Sequence, residues 1–316
     1  MAFQLHASAS NCISQFPTMT LRTFASLSLL LLAYPINKYL NYRALNNGVS
    51  AAFDWKKEIV LVTGGSDGIG AATVQKLAER GTTVIVLDIR PLTYEPAKNM
   101  HYFKCDLTSH DGLSLVYETL CREVGVPSCV VACAGICRGK PLLYATQKDI
   151  EQTFAINSLG LIWTIQTFVP SMVARNHGHF LIMSSQTAHL ATAGVVDYAA
   201  TKASALAIYE GLQTEMRHVY NASAVRVSCV SPSAVQTKMF RGIKLPPAVS
   251  ALQPSDVGSI ISEILWSGKA QNRMTPLPAY LSPATRAFPD WMRVKLQDFG
   301  KDVMTTLSPH QPMEEA

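Results

Sequence analysis

Charge is scarce in this 316-residue chain: Asp, Glu, Lys and Arg make up 16% of it, against 48% hydrophobic residues. That is low for an ordinary soluble domain and fits a folded domain that also carries a membrane-attaching segment. The net charge of +5 is scattered, with no basic stripe interleaved with aromatics. This argues against nucleic acid as a partner. Cysteines 12, 105, 121, 129, 133, 137 and 229 are dispersed and odd in number. Neither a disulfide framework nor zinc spacing emerges, so no metal site is assigned, and free thiols agree with a cytosolic setting. There is no internal repeat and no low-complexity linker. An uninterrupted apolar run of the ~20 residues that span a bilayer is also missing.

What is present begins at Glu58-Ile-Val-Leu-Val-Thr63, a short β-branched run that reads as a buried strand. It leads into Thr63-Gly64-Gly65-Ser66-Asp67-Gly68-Ile69-Gly70 and then a helical pattern to Arg80. Strand, glycine turn and helix is the context a phosphate-cradling loop needs. Glycines allow close backbone approach, and the helix N-terminus faces the pyrophosphate. A second strand, Thr83-Val-Ile-Val-Leu87, ends on Asp88. A carboxylate there can accept from ribose hydroxyls and repel a 2′-phosphate, which favours NAD.

Further on, Ser184-Ser185-Gln186 precedes Tyr198-Ala-Ala-Thr-Lys202. Tyr198 and Lys202, four apart, share one helical face. An adjacent ammonium favours the phenolate and should lower the Tyr198 pKa from its usual ~10, making it a usable general acid/base.

Taken together, Thr-Gly-x-x-x-Gly-x-Gly, Ser185, Tyr198 and Lys202 resemble the classical short-chain dehydrogenase/reductases, from about Trp55 to Pro278. The resemblance implies a Rossmann fold: an α/β domain with a single doubly wound parallel sheet. It implies catalysis by Ser185, Tyr198 and Lys202, with Asn157 in a proton relay. Cofactor contacts would come from Gly64, Ser66, Asp67, Gly68, Ile69, Gly70, Asp88, Asp106 for the adenine, Ala134, Gly135, Tyr198 and Lys202. Pro232 through Thr237 would hold the nicotinamide carboxamide. Two positions depart from the family pattern. Ala132-Cys133-Ala134-Gly135 stands in place of Asn-Asn-Ala-Gly, and Pro232-Ser233 in place of Pro-Gly. The first removes side chains that brace the strand. The second is costly if that turn needs a positive φ.

Arg175-Asn-His-Gly-His179, Val196-Asp-Tyr198 and Thr237-Lys-Met-Phe-Arg-Gly242 are similar to the membrane-associated branch, which contains retinol and 17β-hydroxysteroid dehydrogenases. This implies a lipophilic alcohol or ketone as substrate. Residues 1–50 lie outside the sheet and carry the apolar stretch Thr23 to Ile36, extended to an anchor of about 21–40 if Lys38 snorkels. Lys38, Arg43, Lys56 and Lys57 follow it, against Arg22 alone before it. Read as a retained anchor, with a cleaved signal peptide or an organelle transit peptide as the competing readings, it predicts a catalytic domain on the cytosolic side of a membrane, by resemblance the endoplasmic reticulum or a lipid droplet. Residues 281–316 form a tail, with Phe288, Met292, Leu296, Phe299 and Val303 at helical spacing. They predict an amphipathic helix opened by Pro289, either interfacial or packed on its own domain.

Between these ends, residues 51–280 alternate strand and helix. Strands are expected near 101–105, 128–132, 178–184, 224–230 and 275–279. Helices are expected near 110–124, 146–157, 159–175, 197–219 and 254–266. The helices at 159–175 and 197–219 are candidate homodimer faces by the same resemblance. Residues 238–253 break the pattern where the family places a substrate lid. Arg90 keeps NADP as the alternative cofactor, hence an NADPH-dependent ketone reductase. A catalytically idle membrane scaffold is a further alternative.

Overall fold

The computed structural model describes residues 33–245, 250–305 and 307. These fall into two compact units, within Met1–Gly48 and Val49–Ala316. In the first, α1 is described over residues 33–45. Most of the expected anchor, through residue 32, lies outside the described residues. Among those described, no helix is long and apolar enough to cross a membrane.

The second unit is a seven-stranded, all-parallel sheet in the order β3-β2-β1-β4-β5-β6-β7. Its strands are β1 Ile59–Thr63, β2 Thr83–Asp88, β3 Met100–Lys104, β4 Cys129–Ala132, β5 His179–Met183, β6 Arg226–Pro232 and β7 Asn272–Thr275. The helices are α2 Gly68–Glu79, α3 His110–Glu123, α4 Gln147–Phe154, α5 Gly160–Arg175, α6 Val196–His218, α7 Pro254–Trp266 and α8 Asp290–Phe299.

Strand alternation splits the core in two. Leu61, Ile85, Val130 and Phe180 face the layer of α3, α5 and α6, against Leu120, Phe168 and Leu212. Val60, Val62, Val86 and Val131 face α2 and α7, against Val74, Leu77, Ile261 and Leu265. Helix starts are fixed by local chemistry. Asp67 caps α2, and a Thr146–Asp149 capping box opens α4. Strand order reverses between β1 and β4, the crevice where such sheets bind ligands.

Two expectations need correction. Residues 275–279 are not the seventh strand. Asn272–Thr275 pairs with β6, and Leu277–Leu281 turns into a 3₁₀-helix. Pro276 and Pro278 have no N–H to donate to a ladder, so the strand ends before them. The helices expected at 146–157 and 159–175 are joined by a π-turn, Ala155–Leu159. Such a turn inserts a residue without breaking the helix and is frequent at functional sites.

Candidate active site

β1, β2, β4, β5 and β6 deliver their carboxyl ends to one edge of the sheet, and the sequence-predicted residues gather there. After β1, Gly64 takes φ +67°, and a side chain on it would stand 2.7 Å from the Ala134 Cα. The glycine loop and the turn after β4 therefore meet backbone to backbone. Thr63 Oγ1 accepts the Cys133 and Ala134 N–H groups at 3.1 and 3.2 Å. This supplies the bracing that the absent asparagine side chains would otherwise provide.

Asp88 is buried at the end of β2. Its Oδ2 accepts the Ser66 N–H and its Oδ1 the Arg90 N–H, both at 3.0 Å. A carboxylate has about four acceptor positions, so two remain for ribose hydroxyls. Ser66 is fully buried, with its hydroxyl donated inward to the Arg90 carbonyl. The structure thus places its side chain in the loop's scaffold. Thr93 and Tyr94 clamp the same loop from outside, donating to the Ser66 and Gly65 carbonyls. Asp67 caps α2 through the Gly68 N–H and pairs with Lys238. Ile69 and Gly70 occupy the first turn of α2. Asp106 is exposed and accepts the Thr108 N–H and hydroxyl.

At the end of β5, Ser185 caps a short 3₁₀-turn. Its Oγ accepts both the Thr187 N–H, at 3.2 Å, and the Thr187 hydroxyl, at 3.0 Å. Both lone pairs are thereby engaged, which leaves the Ser185 proton to be donated elsewhere. Tyr198 and Lys202 lie buried on the inner face of α6. The Lys202 ammonium sits 5.7 Å from the Tyr198 ring centroid and donates to the Met183 carbonyl at 3.0 Å.

The electrostatics differ from the sequence expectation. Burial pushes the Tyr198 phenol above its ordinary range, and the nearby Cys137 thiol adds to this. The neighbouring Ser185 hydroxyl acts in the opposite sense. Burial likewise lowers the Lys202 pKa. Both groups are desolvated, which disfavours each charged form, and the ammonium is turned to a carbonyl rather than to the phenol.

Asn157 is held in the π-turn. Its amide donates to the Ile136 carbonyl at 2.8 Å and the Thr201 hydroxyl at 3.0 Å, and its carbonyl accepts the Ile136 N–H at 2.8 Å. A cavity of about 10 Å³ is lined by Asn157, Lys202, Thr63 and Thr164. That is the smallest space that holds one water.

At the end of β6, Pro232 is buried, and the next residue, Ser233, is not among those with positive φ. The turn therefore costs no strain with serine. The Ser233 Oγ is buried without a hydrogen-bond partner among the described residues, leaving a free donor beside the expected carboxamide position. Thr237 precedes the 3₁₀-turn Lys238–Phe240, and its side chain approaches Gly68. From that turn Phe240 reaches the Tyr198 ring edge-on, centroids 5.9 Å apart. A loop glycine cradle, an open carboxylate at β2 and an orphaned donor after β6 together fit a dinucleotide.

Three contributors were given no role from sequence, although Thr63 and Lys238 lie inside motifs named above: Thr63 as brace, Thr187 as orienter of Ser185, and Lys238 as the partner of Asp67. Among the described residues no group of His, Cys, Asp and Glu is arranged to hold a metal ion.

The short chain dehydrogenase family profile matches residues 58–246. The chain is 34% identical to dehydrogenase RED2 of Cochliobolus heterostrophus, over 62% of this chain and 75% of that one. It is 30% identical to human epidermal retinol dehydrogenase 2, over 66% and 71%. Among solved structures, serine dehydrogenase from Escherichia coli superposes with a TM-score of 0.59 at 25% identity, covering 70% of this chain and 98% of that one.

Proposed function

The chain belongs to the short-chain dehydrogenases, in the branch of the retinol and steroid dehydrogenases, and is an oxidoreductase acting on CH–OH groups; from that premise we propose that it interconverts a lipophilic alcohol and its ketone or aldehyde with NAD(P). The observation that carries this reading is the convergence of Ser185, Tyr198, Lys202 and Asn157 beside an apolar cluster. That cluster comprises Cys137, Val195, Met239, Phe240 and Ile243.

NAD(P), held by the glycine loop, Asp88 and the segment after β6, would supply the hydride acceptor for alcohol oxidation and, reduced, the hydride donor for the reverse reaction. The protein's part is proton transfer and alignment. In oxidation, the Tyr198 phenolate takes the hydroxyl proton. Ser185, its acceptor sites filled by Thr187, donates to the same oxygen and stabilises the charge developing there. Lys202 has two further N–H donors beyond the Met183 contact, which would hold the nicotinamide ribose, and its charge acts on Tyr198 through space. Asn157 and the adjoining cavity offer a route by which the proton reaches water. Asp88 favours NAD. Exposed Arg90, whose N–H Asp88 holds, favours NADP as a second reading.

The same reading places the protein on a membrane, with its catalytic domain on the cytosolic face of the endoplasmic reticulum or a lipid droplet. Supporting it, α1 exposes Tyr34, Ile36, Tyr39 and Leu40, and α8 exposes Trp291, Val294, Leu296 and Phe299. Residues 21–40 would attach the chain and α8 would lie in the interface. A homodimer through α5 and α6 completes it.

The test is turnover by membrane-bound protein of retinol, a 17β-hydroxysteroid and a long-chain secondary alcohol, with NAD(H) and NADP(H). Tyr198→Phe should lower kcat by about 10²–10⁴-fold while NADH still binds. Equal rates in the two proteins would overturn the assignment. Carbonate extraction and size-exclusion of detergent-solubilised protein test the attachment and the dimer.

A further inference from the structure

The C-terminal arm follows the loop that joins the two ends of the catalytic group. Ser282 Oγ accepts from Gln186 Nε2 at 2.7 Å. Arg286 donates to the Ala188 and His189 carbonyls at 2.9 and 3.2 Å. From α8, Gln297 donates to the Ala191 carbonyl at 2.9 Å. All of these acceptors and donors on the loop lie between Ser185 and Tyr198.

Beyond Gly300 the chain turns inward. Met304 and Leu307 are 6% and 4% exposed. They form one apolar cluster with Cys137, Val195 and Tyr198, flanked by Met239, Phe240, Ile243 and Val303. Two glycines make the seat. Gly139, at φ +65°, has no room for a side chain because Leu307 Cδ2 fills that space. At Gly194, a side chain would stand 3.0 Å from the Met304 carbonyl oxygen. Tyr198 itself is only 5% exposed. An alcohol oxygen has to reach the Tyr198 hydroxyl, and a rigid, bulky alcohol needs apolar volume around it. The side chains bounding that volume from the C-terminal side are Met304 and Leu307.

We propose that Val303, Met304 and Leu307 are a strap forming one wall of the substrate chamber, with Met304 and Leu307 as specificity-determining residues that limit the bulk of the alcohol accepted. This rests on the dehydrogenase reading above. Trimming Met304 or Leu307 removes several methylene-sized groups from the wall. Discrimination by such pockets amounts to about 10–200-fold per group.

The experiment uses the full chain and Met304→Ala, Leu307→Ala and Gly139→Ala variants, with two readouts. The first is alkylation by N-ethylmaleimide, mapped by mass spectrometry. Cys137 is fully buried in the strap's cluster, while Cys129 and Cys229 are fully buried within β4 and β6. Labelling of Cys137 should rise about tenfold in all three variants, with Cys129 and Cys229 unchanged as internal monitors of global unfolding. The second is the ratio of kcat/KM for a 17β-hydroxysteroid to that for 2-butanol. It should rise at least about tenfold in the two alanine truncations. Unchanged Cys137 labelling overturns the strap, and increased labelling with an unchanged ratio overturns its role in specificity. Turnover of neither alcohol by the unmodified chain sinks the dehydrogenase reading instead, and the labelling still reports on the strap.

Discussion

The Lys238 ammonium lies 2.8 Å from the Asp67 carboxylate. The contact joins the cap of the glycine-loop helix to the turn whose Phe240 touches Tyr198. Burial works to raise the Asp67 pKa, but the Lys238 contact and the Gly68 N–H outweigh it and hold the carboxyl below its usual range.

Lys238→Met should therefore separate stability from binding. The pair is partly exposed, with Lys238 at 55%, so its loss should change unfolding free energy by less than about 1 kcal/mol. Removing a cation beside the pyrophosphate loop should weaken NADH binding about two- to fivefold. Fluorescence titration at low and high salt checks this, and the difference should shrink at high salt.

Gly70→Ala tests the loop's geometry. A methyl group there would collide with the Gly64 carbonyl oxygen, which belongs to the backbone and has little freedom to move. A loss of about 1–3 kcal/mol in urea unfolding is expected, with cofactor affinity lost alongside it. A stable variant with normal NADH affinity would show that the loop relaxes.

Asn157→Ala leaves the Ile136 N–H and carbonyl without their partner and frees Thr201 from its contact. A cost of about 1–3 kcal/mol follows from the unmade bonds. Because the π-turn also positions the cavity beside Lys202, kcat should fall further than KM changes. Thermal melts and steady-state kinetics separate the two effects.

The stability of the fold should fall in acid through His179. This ring is fully buried, donating or accepting with Ser228 at 2.8 Å, while Nδ1 has no partner among the described residues. Burial, and then Arg226, lower its pKa from 6.5 to about 3. Between those values the unfolded chain binds the proton and the folded one does not. The contribution is thus complete above pH 6.5 and is lost as pH falls toward 3. His179→Gln should flatten the Tm-against-pH curve over this window.

Alcohol oxidation should increase with pH into the alkaline range, since burial raises the Tyr198 pKa and the phenolate is the reactive form. Ketone reduction, which needs the protonated phenol, should persist across neutral pH. Opposite limbs in the two kcat/KM profiles, both abolished in Tyr198→Phe, are the signature to look for.

Much of the sheet was legible in the chain. Runs such as Thr83-Val-Ile-Val-Leu87 have one structural outcome when both faces are buried, and the glycine loop, Asp88 and Ser185 each sit at or beside a strand's end, while Tyr198 and Lys202 share the inner face of α6. Spacing along the chain determined those features because helix and strand periodicity are local. It could not set the end of β7, where proline overrode an expected strand, or the π-turn that aims Asn157 inward. Nor could spacing give the ionisation of Tyr198, because the burial that raises its pKa is created by Phe240 and the C-terminal arm packing around it. Contacts such as Gln186 with Ser282, 96 residues apart, leave no periodic trace. Residue order alone decided the fold, the glycine loop and the identity of the proposed reacting groups. Tertiary packing decided how dry the site is, which way Lys202 points, and what encloses the substrate, because desolvation and close contact depend on neighbours that only folding brings together.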